Sequence, residues 1–121
     1  LPAVAQTGVP VHVIPAGQVL AAFVRAVEAQ GGVGNIAGRD ALMARTPEGA
    51  VDTIHLSDLG AYLVALTHFA TLYQGSPVGL PLALMRADGT AADAPDTAAG
   101  VLMQQTVRDV VRRARYSGVA A

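Results

Sequence analysis

Asp52 and His55 stand three residues apart in the run Asp-Thr-Ile-His-Leu-Ser-Asp-Leu-Gly, and a long apolar segment follows at once. Across a tight turn, a carboxylate at that spacing can accept a hydrogen bond from one imidazole nitrogen. The other nitrogen is then left to take a proton, which is the arrangement of an oriented general base. The bare pattern Asp-x-x-His is weak, since residue usage alone produces it in roughly one chain in ten of this length. A base also needs a group to activate. The serines are Ser57, Ser76 and Ser117. Ser57 is placed to cap a helix, Ser76 precedes Pro77 in a loop, and Ser117 falls where the last helix stops. Leu1 offers no nucleophilic side chain, and the absence of cysteine removes thiol catalysis, disulfides and thiolate metal sites together.

The elements that must position the pair are read from periodicity. Val9-Pro10-Val11-His12-Val13-Ile14 is short, β-branched and bounded by Gly8 and Pro15. Apolar on both faces except at His12, it predicts a buried strand of a parallel sheet, with His12 structural. Residues 18–30 place Leu20, Phe23, Val24 and Val27 on one stripe and Arg25 and Glu28 away from it, an amphipathic helix ended by Gly31-Gly32. Residues 39–45 predict two helical turns, broken by Thr46-Pro47-Glu48-Gly49. Residues 52–60 read as a loop in which Ser57 is the N-cap and Asp58 faces the helix dipole.

The helix that follows, residues 59–74, is apolar nearly all round, with a thin polar stripe at Thr67, Thr71 and Gln74, and so reads as buried. Residues 75–96 are irregular, a surface wrap or a mobile segment. Asp96 is placed to cap a last helix over residues 97–115, with Met103, Val107, Val110 and Ala114 inward and Asp109 spaced to pair with Arg113. A strand, a short loop and a helix in succession is the unit of an α/β fold.

Composition bounds the function. The chain of 121 residues suffices for one small core, and 52% hydrophobic against 14% charged residues implies apolar surface buried against something beyond this sequence. A net charge of −1 gives no electrostatic case for nucleic acid, and no apolar run reaches the roughly 20 residues of a membrane span. All eight basic residues are Arg, and Arg108, Arg112, Arg113 and Arg115 cluster where they complement a helix C-terminus. Gly31-Gly32-Val33-Gly34-Asn35 lacks the order of a phosphate loop and follows a helix rather than a strand. A zinc site joining His55 and His68 fails on length. Nine helical residues separate His68 from the helix mouth by roughly 13 Å, and zinc ligands lie about 2 Å from the metal. Tyr62, Phe69 and Tyr73 are read as core.

Asp52-x-x-His55-Leu56-Ser57-x-x-Gly60-x-Tyr62, running into an apolar helix and preceded by a strand and a helix, resembles the last block of the SGNH (GDSL-type) serine hydrolases. The resemblance covers residues 9–81. It implies a three-layer, flavodoxin-like α/β fold of which this chain supplies the C-terminal part, a single domain segment over residues 1–121 with residues 81–121 as a loop and terminal helix. Residues 9–14 would be the last core strand, His55 the general base and Asp52 the residue that orients it, with Ser57 and Gly60 structural. The family's nucleophile lies in a Gly-Asp-Ser block and its oxyanion donors in a later Gly and a Gly-x-Asn-Asp block, and none of these occurs here.

The chain, which opens on Leu1 as if cut from something longer, is therefore expected to be the acid–base portion of an ester hydrolase or deacylase. Its serine would come from a preceding half or a second chain. The implied substrates are small acyl esters or acetylated carbohydrates, with no metal or organic cofactor, and an exported or periplasmic bacterial setting is favoured. The alternative is a non-catalytic interaction module that retains a hydrolase framework.

Overall fold

A stripe of Val19, Phe23 and Val27 recurs at helical spacing, and all three side chains are buried in helix α1, Ala16–Ala29. The computed structural model describes residue 3 and residues 6–120; Leu1, considered above as a nucleophile, and Ala121, the last residue of the tail, lie outside the described residues. The glycine pair ends α1 as its sequence implies. Gly31 takes φ +69° and the Gly32 N–H donates to the Val27 carbonyl at 3.0 Å, satisfying a carbonyl the helix leaves open.

A 3-10 turn, Arg39–Leu42, leads into strand β1, Met43–Arg45, which pairs antiparallel with β2, Val51–Leu56. Helix α2 is Asp58–Leu72 and helix α3 is Thr97–Arg113. The described residues form a small mixed α/β domain in which three α-helices, α1 to α3, pack with a two-stranded antiparallel sheet. The helices meet around Phe23, Leu63, Met103 and Val107, with Ile36 and Leu42 closing the core from the α1–β1 connection.

Both expected caps form. The Ser57 side chain accepts from the Gly60 N–H and the Asp96 carboxylate from the Ala99 N–H. Four expectations are corrected. Residues 9–14 are extended but belong to no sheet of the described residues, and Val9, Val11, His12 and Val13 are exposed; a backbone bond from the Val13 N–H to the Tyr116 carbonyl at 2.7 Å ties the segment across the fold. Their β-branched composition fits a pleated surface, but no neighbouring strand of this chain offers a ladder to complete it. No parallel sheet is therefore built from the described residues.

Residues 39–45 form a 3-10 turn and a strand rather than two α-helical turns, because pairing with β2 outweighs local helix propensity. Thr67 and Thr71 face the core: each hydroxyl donates to the carbonyl four residues back, Leu63 and Thr67, at 2.9 Å, which leaves the methyl groups to pack. Solvent instead meets Ala61, Ala65, His68 and Leu72, one stripe of α2. Asp109 pairs with its neighbour Arg108 at 2.8 Å rather than with Arg113.

The long connection before α3 is a surface wrap. Gln104, buried on α3, donates to the Leu80 carbonyl and to the Tyr62 hydroxyl and accepts from the Gly79 N–H, and Tyr62 in turn donates to the Pro81 carbonyl. Asn35 ties the far end by donating to the Ala94 carbonyl and accepting from the Asp96 N–H.

Candidate active site

Asp52 and His55 lie on an irregular strand, not on the loop their sequence implies. Met43 faces Leu56 and Arg45 faces Val51, so two residue steps on β1 oppose five on β2. The surplus residues of β2 bulge out of the ladder, which frees their N–H groups from pairing. Asp52 satisfies two of them: its Oδ1 accepts from the Ile54 N–H at 2.7 Å and from the His55 N–H at 3.0 Å. Its other oxygen, Oδ2, lies 2.8 Å from His55 Nδ1. One carboxylate therefore fixes both the backbone of the bulge and the ring it carries.

These donors act on charge as well as on shape. The backbone N–H of His55, then that of Ile54, then the imidazole itself favour the ionised carboxylate and lower the Asp52 pKa from 3.8 to about 2. An ionised Asp52 at neutral pH selects the His55 tautomer that carries its proton on Nδ1. Nε2 then holds the free lone pair. The His55 side chain is 74% exposed and that of Asp52 24%, so the ring presents itself outward over a largely covered carboxylate.

Just past the bulge the chain is anchored twice. The Ser57 hydroxyl donates to the Ala41 carbonyl at 2.7 Å and the Ser57 N–H donates to the Leu42 carbonyl at 2.9 Å. One residue on, Asp58 Oδ2 receives Arg86 Nε at 3.0 Å, Arg86 Nη2 at 2.7 Å and the Asp93 N–H at 2.8 Å. The Arg86 guanidinium, followed by that N–H, holds the Asp58 carboxyl below the usual carboxylate range. This clasp joins residues 28 apart, and no local sequence pattern announces it.

The structure brings Asp52 and His55 together, and none of the three serines among the described residues is placed to serve them. Ser57 is committed to its cap and to Ala41. Ser117 is buried, donating to the Val111 carbonyl at 2.6 Å and accepting from the Val119 N–H. Ser76 accepts from the Val78 N–H in the wrap beyond α2. His68 is exposed, with Nδ1 2.8 Å from the Val64 carbonyl, and His12 is exposed rather than buried within a strand. Tyr62 is core as expected, but Tyr73 is 75% exposed and Phe69 half-buried against it. Among the described residues no three His, Asp or Glu side chains gather to hold a metal, and no helix is long and apolar enough to cross a membrane. No protein-family model, no curated protein and no solved structure matches the chain.

Proposed function

We propose that this chain supplies the acid–base half of a serine ester hydrolase of the SGNH type, acting on small acyl esters or acetylated carbohydrates. The observation that carries the reading is the Asp52 Oδ2 contact to His55 Nδ1, made by a carboxylate held ionised by its own bulge. A serine hydroxyl from a polypeptide segment other than the described residues attacks the ester carbonyl. His55 Nε2 accepts its proton, and Asp52 stabilises the imidazolium that results. Collapse of the tetrahedral intermediate expels the alcohol, protonated by His55. Water, deprotonated by the same nitrogen, then releases the acid and restores the serine.

The exposed, extended residues 9–14 support the same reading. Apart from the Val9 and Val13 N–H groups and the Ile14 carbonyl, which are already bonded, their backbone groups and β-branched side chains suit pairing with a strand of the segment that brings the serine, which would extend the central sheet of that family's three-layer fold. Intact-mass analysis of the purified protein after treatment with a fluorophosphonate probe tests the proposal. The expected result is a labelled serine on a co-purifying polypeptide, with labelling lost by orders of magnitude in His55→Ala. A single unlabelled 12.3 kDa species refutes the catalytic reading. That outcome favours a non-catalytic module on a hydrolase framework, a role the high exposure of His55 also fits.

A further inference from the structure

We infer that the cleft between α1, the end of α3 and the extended segment at Val13 binds an amphipathic organic anion, a phosphate or carboxylate on an apolar body. The cleft has a volume of about 490 Å³, within the range of about 300–1,000 Å³ typical of small-molecule sites. Val13, Pro15, Ala22 and Val110 give it an apolar floor, and Arg25, Arg113 and Arg115 stand around it. No acidic side chain lines it. In a chain of net charge −1, three cations and no carboxylate at one cavity is a strong local bias.

Among the described residues none of the three guanidiniums is within ion-pair distance of a carboxylate. The described arginine–carboxylate pairs use Arg39, Arg86 and Arg108. Arg115 lies over the Tyr116 ring, 5.1 Å from its centroid, which orients the guanidinium without neutralising it. Two influences oppose these cations: the Asp109 carboxylate, on which Arg113 acts through space, and the carbonyl end of α3, where Arg113 is the last residue. The helix dipole amounts to roughly half a negative charge, and together with Asp109 it falls short of three full positive ones. Arg25 is on α1 and has no helix end to complement, so dipole compensation does not account for it. Guanidiniums grip phosphate and carboxylate oxygens in bidentate geometry, and the floor below them accepts a short hydrocarbon or ring. The site is separate from the Asp52–His55 bulge and does not depend on its chemistry.

The test is titration of the full chain, followed by NMR shift mapping and calorimetry, with octyl phosphate, octanoate, octanol, inorganic phosphate and anionic phospholipid vesicles. Octyl phosphate or octanoate should bind at one site, perturbing Val13, Ala22 and Val110, at least tenfold more tightly than octanol or inorganic phosphate. Arg25→Gln and Arg113→Gln should each weaken that binding about tenfold with an unchanged circular dichroism spectrum. Absence of saturable binding, equal affinity for octanol, or indifference to both substitutions overturns the inference. So does binding confined to vesicles, which indicates a membrane surface rather than a soluble ligand.

Discussion

Gly60, one turn into α2, is the position at which the anchoring of the site can be broken with a single methyl group. A Cβ there would overlap the Leu42 carbonyl oxygen, and would also lie 3.2 Å from the Leu42 carbonyl carbon and 3.1 Å from Leu56 Cδ2. The first obstacle is backbone, which cannot rotate away. Gly60→Ala must therefore push the start of α2 from the turn before β1. The two bonds that cross this contact, Ser57 N–H to Leu42 and Ser57 hydroxyl to Ala41, are lost or stretched, at about 1 kcal/mol each. Overpacking adds about 1–3 kcal/mol. The gain in helix propensity from Gly to Ala returns only about 1 kcal/mol. The balance is a loss of about 2–4 kcal/mol, a fall in Tm of roughly 10–30 °C for a domain near this size.

Gly100 on α3 provides the control. A Cβ there meets the methyl groups of Leu82, a side chain able to change rotamer, so Gly100→Ala should stay within about 1 kcal/mol of the parent. Chemical denaturation of the three proteins side by side measures both. A Gly60→Ala protein as stable as the parent, or no less stable than Gly100→Ala, refutes the claim that α2 is seated directly on the Leu42 backbone.

The Asp52 carboxyl, followed by carbon-13 NMR, should titrate near 2 rather than near 3.8. Because the folded value is the depressed one, the contribution of these bonds to stability is complete above pH 3.8 and is lost as pH falls toward 2; a midpoint at 3.8 in the folded protein refutes the three-bond description. Tyr62→Phe removes the hydroxyl that donates to Pro81 and accepts from Gln104. It should cost about 1–3 kcal/mol through two lost hydrogen bonds, and its amide exchange should quicken around Leu80 and not around α1; uniform or absent change refutes the claim that this network holds the wrap.

What the sequence discloses and what it hides divide along sequence separation. The three helices are legible to within two residues of their ends because a 3.6-residue stripe and a cap are local. Phe23 with Val27, Met103 with Val107, and the side chains of Ser57 and Asp96 all act within a turn or two of themselves. The Asp52–His55 contact is legible for the same reason. Pairing is not local. Residues 39–45 carry a helical pattern, and only β2 decides that Met43–Arg45 is a strand. Residues 9–14 carry a strand pattern, and the described residues provide nothing for it to pair with. Thr67 and Thr71 mislead because polarity is counted by residue type, whereas a hydroxyl returned to its own helix presents a methyl to the core. The Arg86–Asp58 clasp leaves no trace in any short window.

The bulge also bears on how an exposed base could work. An imidazole as open to water as that of His55 gains little from its carboxylate, because solvent screens the pair and competes for both partners. Covering the ring strengthens the same contact without moving an atom of it. The residues on either side of the ring are apolar: Ile54 is 79% exposed and Leu56 also reaches solvent. Burying an exposed Ile side chain contributes about 1.5–3 kcal/mol, so a surface laid over the bulge would be held by the neighbours of His55 rather than by the imidazole. On the hydrolase reading, the contact that delivers the serine is also the one that excludes water. Nucleophile and low dielectric would then arrive together, and the isolated pair would be positioned but idle until they did.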